Sequence, residues 1–346
     1  MKTIIAAMIA CLPFISQAQS TELTCWTTTG EQMKLTVEDA NLKVPDSIAA
    51  IDLCGMEAIT LDCSSANPNC LYYTDGTTSV EGLPNANVVC EGVCEGLLLT
   101  DDACFYCPMA FTATDAMLRF TPRRDEGEAD FNQPCHETVM LPFDADFVVP
   151  EDVNGSMPEG WLQLAIYRGY ENEMLIFDQI FGACLNANTP YLVKFAYAAY
   201  GTHILFCGQD ITVEETKTII ADVEPYSFVG MTKSKNEARG YFRYFRGPYP
   251  FFNHFGDGMP MEPFRCFIVE TKYIANQETD QNGEPVVGPA VDQILDYIVV
   301  GEESTEIDTR RNDDFSKKYY DLMGRPIANH QAGKGIQISK GVKIVK

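Results

Sequence analysis

Short segments that alternate apolar and polar residues fill the chain from Asn87 to about Val300, and this period of two constrains the fold most. The segments are rich in β-branched and aromatic residues and are separated by Gly, Pro, Asn or Asp, as in AFTATDAMLRF, LQLAIY, YLVKFAYAAY and FRCFIVETKY. A period of two is that of a half-buried strand, and long helical periodicity is nearly absent. The pattern predicts a mainly β chain with an antiparallel β-sandwich or jelly-roll body.

The body is predicted to span residues 76–301, and a division into two sub-domains with a boundary near residues 214–222 is the alternative. Residues 302–316 (EESTEIDTRRNDDFS) are charged and poor in apolar residues, which is typical of a linker. Residues 317–346 are rich in Gly and Lys and contain short β signals. They predict a small C-terminal β module that is basic although the body is acidic.

Residues 19–75 carry a different pattern. Ile48-x-x-Ile51-x-Leu53 and Met56-x-x-Ile59-x-Leu61 both resemble the L-x-x-L-x-L strand of a leucine-rich repeat. Their spacing of eight residues is too short for two full repeats. The segment is therefore predicted to be leucine-rich-repeat-like, with at most one solenoid coil or a small cap. Asn67-Pro68-Asn69 predicts a turn before the next strand.

Residues 1–18 have the order of a cleaved secretory signal peptide: a positive start, an apolar run from Ile4 to Ile15, and small residues before the cleavage point. The apolar run is too short to span a bilayer, which needs about 20 such residues. No later stretch is longer and equally apolar, so no integral membrane segment is predicted in the mature chain. Lipid attachment at Cys11 is the alternative interpretation of this segment.

The net charge of the full chain is -24. Such a surface repels phosphate backbones and anionic membranes, so the charge argues against nucleic-acid binding. The acidic residues are dispersed rather than clustered in runs, which indicates a solvated acidic surface.

Twelve of the 13 cysteines remain once Cys11 leaves with the leader. In an exported chain this number predicts disulfides, at least two of them within the crowded stretch Cys54–Cys107. Cys90, Cys94, Cys104 and Cys107 form two close pairs, for which a zinc site is the alternative. The Cys104-x-x-Cys107-Pro sequence resembles thioredoxin-like redox sites, but the residues after it predict a strand rather than a helix. No cofactor is predicted.

The stretch Tyr241–Phe255 contains eight Phe or Tyr among fifteen residues. One interpretation is a hairpin that turns at Gly247-Pro248 and fills the core with alternate aromatic rings. The other is a binding surface for sugar rings or a protein partner, with candidate contacts Tyr241, Tyr244, Tyr249 and Phe252.

No established catalytic motif occurs in the sequence. H-E-x-x-H, G-x-S-x-G, P-loop and G-x-G-x-x-G motifs are all missing, and the four histidines lie far apart in unlike contexts. A pair of catalytic carboxylates cannot be picked out among 49 acidic residues. The chain is therefore predicted to be non-enzymatic, and a secreted hydrolase with an unrecognised carboxylate site is the alternative.

Several short motifs are spread over most of the mature chain: ANPNCLYY (66–73), LLTD (98–101), AFTAT (110–114), LPFD (141–144) and NANTPYLV (186–193). Together they resemble a family of secreted β-rich proteins from Gram-negative gut and oral anaerobes. The resemblance implies a β region that follows leucine-rich or similar repeats. It implies no catalytic residues.

The end of the chain is similar to the C-terminal sorting domain of type IX secretion substrates. The similarity rests on Tyr320, Asp321, Leu322, Gly324 and Arg325, on a following GKGI, and on a final KIVK that ends at Lys346. It implies that the outer-membrane secretion machinery reads this module and that the chain is secreted or held at the outer-membrane surface.

Asp46-Ser47-Ile48 matches the short sequon used for O-glycosylation in the bacteria of that family, which makes Ser47 a candidate site. Together, the sequence predicts a secreted or surface-displayed protein with a structural or adhesive role. Its expected partners are host or surface proteins and glycans.

Overall fold

Every regular element in the described part of the computed structural model is a β-strand, which confirms the prediction of a mainly β chain. Nothing in that part is a helix long and apolar enough to cross a membrane. The predicted leader and linker lie outside the described residues. These are 21–37, 40–122, 135–151, 161–180, 184–195, 203–217, 219–220, 225–233, 235–238, 241–246, 249–254, 259–270, 294–300, 319–320, 326–327, 336–339 and 342–345.

In chain order the strands are β1 Thr21–Thr27, β2 Gln32–Val37, β3 Asn41–Lys43, β4 Ile48–Asp52, β5 Glu57–Asp62, β6 Leu71–Thr74, β7 Ser79–Glu81, β8 Val88–Cys90, β9 Val93–Thr100, β10 Phe111–Phe120, β11 Cys135–Val139, β12 Phe147–Pro150, β13 Leu162–Glu171, β14 Met174–Ile180, β15 Tyr191–Phe195, β16 Ile204–Val213, β17 Ile219–Ile220, β18 Tyr226–Met231, β19 Lys235–Ala238, β20 Tyr241–Arg246, β21 Tyr249–His254, β22 Met259–Met261, β23 Arg265–Glu270, β24 Ile294–Val300, β25 Tyr319–Tyr320, β26 Pro326–Ile327, β27 Ile336–Ser339 and β28 Val342–Val345. A nine-stranded sheet has the order β12-β16-β10-β9-β8-β6-β4-β1-β2, and a ten-stranded sheet has the order β11-β15-β13-β14-β24-β21-β20-β23-β18-β17. Smaller sheets are β3-β5-β7, β26-β25-β27-β28 and the pair β19-β22.

The N-terminal segment stacks as a solenoid. β4, β6 and β8 pair in parallel in the nine-stranded sheet, while β3, β5 and β7 pair in parallel in the three-stranded sheet. The chain alternates between the two sheets, and apolar side chains such as Ile51, Leu61 and Tyr72 fill the space between them. The antiparallel strands β1 and β2 continue the nine-stranded sheet beyond the first coil.

The two repeat-like motifs of the sequence are β4 and β5, the two strands of one coil. Their short spacing arises because they lie in opposite sheets, and the full period is the distance from Ala50 to its partner Leu71. The segment thus stacks further than the single coil that was expected. The leucine-rich-repeat assignment itself stays a prediction.

The body packs in three layers. Strands β11, β15, β13 and β14 form the middle layer, and their side chains alternate between two cores. Leu164 and Val193 face the nine-stranded sheet in the larger core. Ala165 and Leu192 face the other way, and Phe228 of β18 packs with them. The ten-stranded sheet therefore folds back on itself, so that β18 and β23 cover its own first strands.

Both large sheets mix parallel and antiparallel pairs. β9 pairs with β10, and β14 with β24, in parallel. The prediction of an antiparallel body is therefore wrong for these pairs. Side chains alternate between the two faces in either kind of pairing, so a period of two cannot tell them apart.

A buried ion cluster joins the three layers. Arg265 of β23 donates to Asp101, which follows β9, at 2.8 Å and to Glu137 of β11 at 3.0 Å. Its guanidinium also donates to the Thr121 carbonyl at 2.8 Å and lies 3.9 Å from the centre of the Phe120 ring. The side chains of Arg265, Asp101 and Glu137 are only 8, 0 and 8% exposed. Each of the three ionic residues comes from a different layer.

Candidate interaction surface

The aromatic stretch forms the hairpin that the sequence predicts. β20 and β21 pair from Tyr241 opposite His254 to Arg246 opposite Tyr249, and only residues 247–248 lie between them. Opposite positions in an antiparallel pair share a face, and successive positions alternate. Positions 241 and 252 therefore share one face, and positions 244 and 249 share the other. The register thus divides the four candidate positions 241, 244, 249 and 252 between the two faces of the hairpin.

The described cysteines do not form the predicted disulfides. None of the eleven cysteines whose side chains are described forms a disulfide, including the seven within Cys54–Cys107. Cys90 is exposed and Cys94 is buried, because they lie on opposite faces of the β8–β9 hairpin. Burial raises the pKa of the Cys107 thiol to about 12. Cys104, the other cysteine of the C-x-x-C motif, is half-buried. No group of three or more His, Cys, Asp or Glu in the described residues is placed to hold a metal ion.

Only some of the remaining predicted site residues lie in the part of the chain that the structure describes. Ser47 is exposed in the turn before β4, where its carbonyl accepts a hydrogen bond from the Thr28 amide at 2.8 Å. Tyr320 lies in β25, in the four-stranded sheet of the tail. Asp321, Leu322, Gly324, Arg325 and Lys346 lie outside the described residues.

An apolar patch covers the outer face of the nine-stranded sheet at its β12 end. In the strand register Leu98, Met117, Cys207 and Phe147 are consecutive neighbours across β9, β10, β16 and β12. Leu205 and Val149 are neighbours in the adjacent row. Leu98 is 47%, Phe147 44% and Val149 38% exposed, and the other three are half-buried. We call these six residues the apolar patch.

The two sides of the apolar patch differ in charge. On one side lie three exposed carboxylates, which we call the acidic row: Asp115, Asp146 and Glu95, the residue before Gly96, which is the β9 partner of Asp115. Gln209 lies between the two aspartates: its side-chain amide donates to Asp115 at 3.2 Å and its backbone amide donates to Asp146 at 3.0 Å. On the other side Arg119 forms two short hydrogen bonds with Glu151, at 2.9 and 3.1 Å. That side is therefore locally neutral, while the first side is negative.

Buried asparagines hold β9, the first strand of the patch, in place. The side-chain amide of Asn87 donates to the Leu98 carbonyl at 3.0 Å and its oxygen accepts from the Leu98 amide at 2.8 Å. Asn69 makes the same two contacts with Thr100, both at 2.8 Å, and also donates to the Ala103 carbonyl at 2.7 Å. These side chains pair with the edge of β9 as a neighbouring strand would. The solenoid coils are thereby fixed to the sheet that carries the patch.

A shallow depression, open to solvent, lies on the middle layer, away from the patch. It is lined by Gln163, Leu164, Ala165, Gln179, Leu192, Lys194 and Val299. The lining contains one cation and no carboxylate. It thus offers none of the paired acids that glycoside hydrolysis requires.

The sequence interpretation missed the apolar patch, although a signal for it exists. Strand β9 contains Leu97-Leu98-Leu99, and β12 contains Phe147-Val148-Val149. In a strand three consecutive apolar residues place apolar side chains on both faces. One face of each strand is core, so the other must either be covered or be apolar at the surface.

Comparisons of the chain with protein-family models, curated proteins and solved structures give no match.

Proposed function

We propose that this chain is an exported, non-enzymatic protein with a structural or adhesive role, and that it binds another protein through the apolar patch. The observation that carries the proposal is the contiguity of the six apolar side chains on four neighbouring strands. Exposed apolar residues are usually scattered singly, and contiguous patches with polar rims are typical of interaction sites. Phe147 is the only aromatic member, which favours a protein partner over a sugar, since aromatic rings supply stacking platforms.

The test compares two double variants of the mature chain in capture experiments. Leu98→Ser with Phe147→Ser disrupts the patch, and Met33→Ser with Ile166→Ser removes two similarly exposed apolar side chains elsewhere. Each immobilised protein is incubated with outer-membrane extract of the producing cell and with host mucin. A protein retained by the wild type and the control but lost with the patch variant supports the proposal. Identical capture by the wild type and the patch variant refutes it.

The proposal includes export to the cell surface. It is supported by the leader-like residues 1–18 and by the basic C-terminal module at 317–346, which would be read by the outer-membrane secretion machinery. Deleting Tyr320–Lys346 should leave the body folded and trap it in the periplasm. Cell fractionation measures this, and a normal extracellular amount of the truncated chain contradicts the sorting role.

We also propose a leucine-rich-repeat-like segment at residues 19–75 and a β-sandwich or jelly-roll body at residues 76–301. The spacing of apolar residues in β4 and β5 supports the first. The face-to-face packing of two large sheets supports the second.

A further inference from the structure

We propose that the partner of the apolar patch is a cationic amphipathic protein segment, with its apolar side chains on the patch and its Lys or Arg side chains along the acidic row. This inference rests on the proposed function and adds the chemistry and orientation of the partner. It starts from the position of the acidic row: Asp115 lies on the same outer face as the patch, one pair of residues further along β10, and Gln209 of β16 links it to Asp146.

The register fixes that position. Asp115 lies two residues before Met117 in β10, and Gln209 lies two residues after Cys207 in β16. Residues two apart in a strand point to the same face, about 7 Å from each other. A partner that covers Met117 and Cys207 therefore places its next side chains beside the acidic row. Neutral or acidic side chains there would leave carboxylates partly desolvated without a counter-charge, which is costly.

The opposite side of the patch makes the recognition directional. Arg119, 45% exposed, is already engaged by Glu151 through a two-pronged ion pair. That side neither attracts cations nor offers a free cation to an acidic partner. A segment with positive charge on one side of its apolar stripe fits in one orientation. Complementary charge gives such a complex its specificity and a rate of association that falls with salt.

A second copy of the chain fits this surface poorly. Two patches placed face to face would either bring the two acidic rows together or set each row against the Arg119–Glu151 side, where Arg119 is already paired. Each chain also carries a net charge of -24. Like charges in an interface oppose association, so the surface favours a basic partner over itself.

The test uses the full mature chain and two labelled peptides with the same apolar stripe, one bordered by Lys and one by Glu, in fluorescence anisotropy titrations. The Lys peptide should bind and the Glu peptide should bind at least about tenfold more weakly. Leu98→Ser with Phe147→Ser should lower the affinity for the Lys peptide at least about tenfold, because two half-exposed apolar side chains lose their contacts.

Charge variants separate the acidic row from the general acidity of the chain. Glu95→Gln with Asp115→Asn should weaken binding of the Lys peptide and reduce the loss of its affinity as NaCl is raised. The control Glu22→Gln with Glu57→Gln removes two exposed acids of the solenoid and should change binding less than twofold. Equal effects of the two charge variants overturn the inference, as does equal binding of the Lys and Glu peptides.

Two outcomes assign the surface differently. A mature chain that dimerises through the patch, in sedimentation experiments with the Leu98→Ser and Phe147→Ser variant as control, overturns the inference in favour of self-association. The other outcome is a native partner that the acidic-row variant captures normally but the patch variant does not capture. This outcome overturns only the inference that the partner is cationic. In that case the proposed function stands.

Discussion

Replacing Arg265 with Met tests whether the buried ion cluster ties the three layers together. The variant keeps a long side chain but loses three hydrogen bonds of 2.8 to 3.0 Å and the contact with the Phe120 ring. Asp101 and Glu137 would remain buried without their cation. Removing one partner of a buried ion pair costs about 3–5 kcal/mol, because the remaining charge is desolvated and uncompensated.

Arg119→Met is the matched control, because Arg119 also forms an arginine–carboxylate pair but is 45% exposed. An exposed pair contributes about 0–1 kcal/mol. Both substitutions remove one positive charge from an acidic chain, so their difference isolates burial. Urea unfolding of the two purified variants should show a difference of at least about 2 kcal/mol in the free energy of unfolding.

A triple variant tests the cause of that loss. Adding Asp101→Asn and Glu137→Gln to Arg265→Met removes the stranded charges and should recover a substantial part of the stability. If Arg265→Met costs no more than Arg119→Met, the cluster does not hold the layers together and the reasoning is wrong. If the triple variant is less stable than Arg265→Met alone, stranded charge is not the cause.

Three further outcomes are expected. Asn69→Ala should lower the free energy of unfolding by about 3 kcal/mol in urea titration, since three buried hydrogen bonds are lost; a change below about 1 kcal/mol contradicts the pairing with β9. Native alkylation at pH 8 followed by mass mapping should label exposed Cys90 and spare Cys107, whose burial raises its thiol pKa to about 12, and a Cys90 that reacts only after reduction would reveal a disulfide. Hydrogen bonds from Thr77 lower the pKa of Asp75 to about 2, so the stability it contributes is present above about pH 4 and is lost as the pH falls through 2; an NMR titration midpoint near 4 contradicts this.

The sequence predicts a strand well wherever one face of the strand is buried and the other is exposed to solvent. Strand β10 is an example: its exposure alternates along Phe111–Phe120 as its apolar pattern does, with one irregularity at Asp115. The aromatic hairpin was predictable for a similar reason, since Gly247-Pro248 separates two β-rich runs. These elements could be predicted because the alternation and the turn residues that determine them lie within the segment itself.

Features that depend on distant residues could not be predicted. Asn69 is a turn residue by sequence, and its role arises from contacts with Thr100, 31 residues away. Arg265 meets Asp101 across 164 residues. The apolar patch requires knowledge of which strands are neighbours, because Leu98 and Phe147 belong to one row only through the strands between them.

The attachment of the coils to β9 determines where this protein could change length. Coils of a solenoid contact only their neighbours, so a coil can be gained or lost without altering the rest. Here the turn that carries Asn69 and the loop that carries Asn87 are fastened to β9 by side-chain amides. The first coil, next to β1, shares no such contact with β9 among the described hydrogen bonds. An added coil is therefore best accommodated between β1 and the Asn69 turn, where it would lengthen the molecule while the outer face of β9, β10, β16 and β12 stays unchanged.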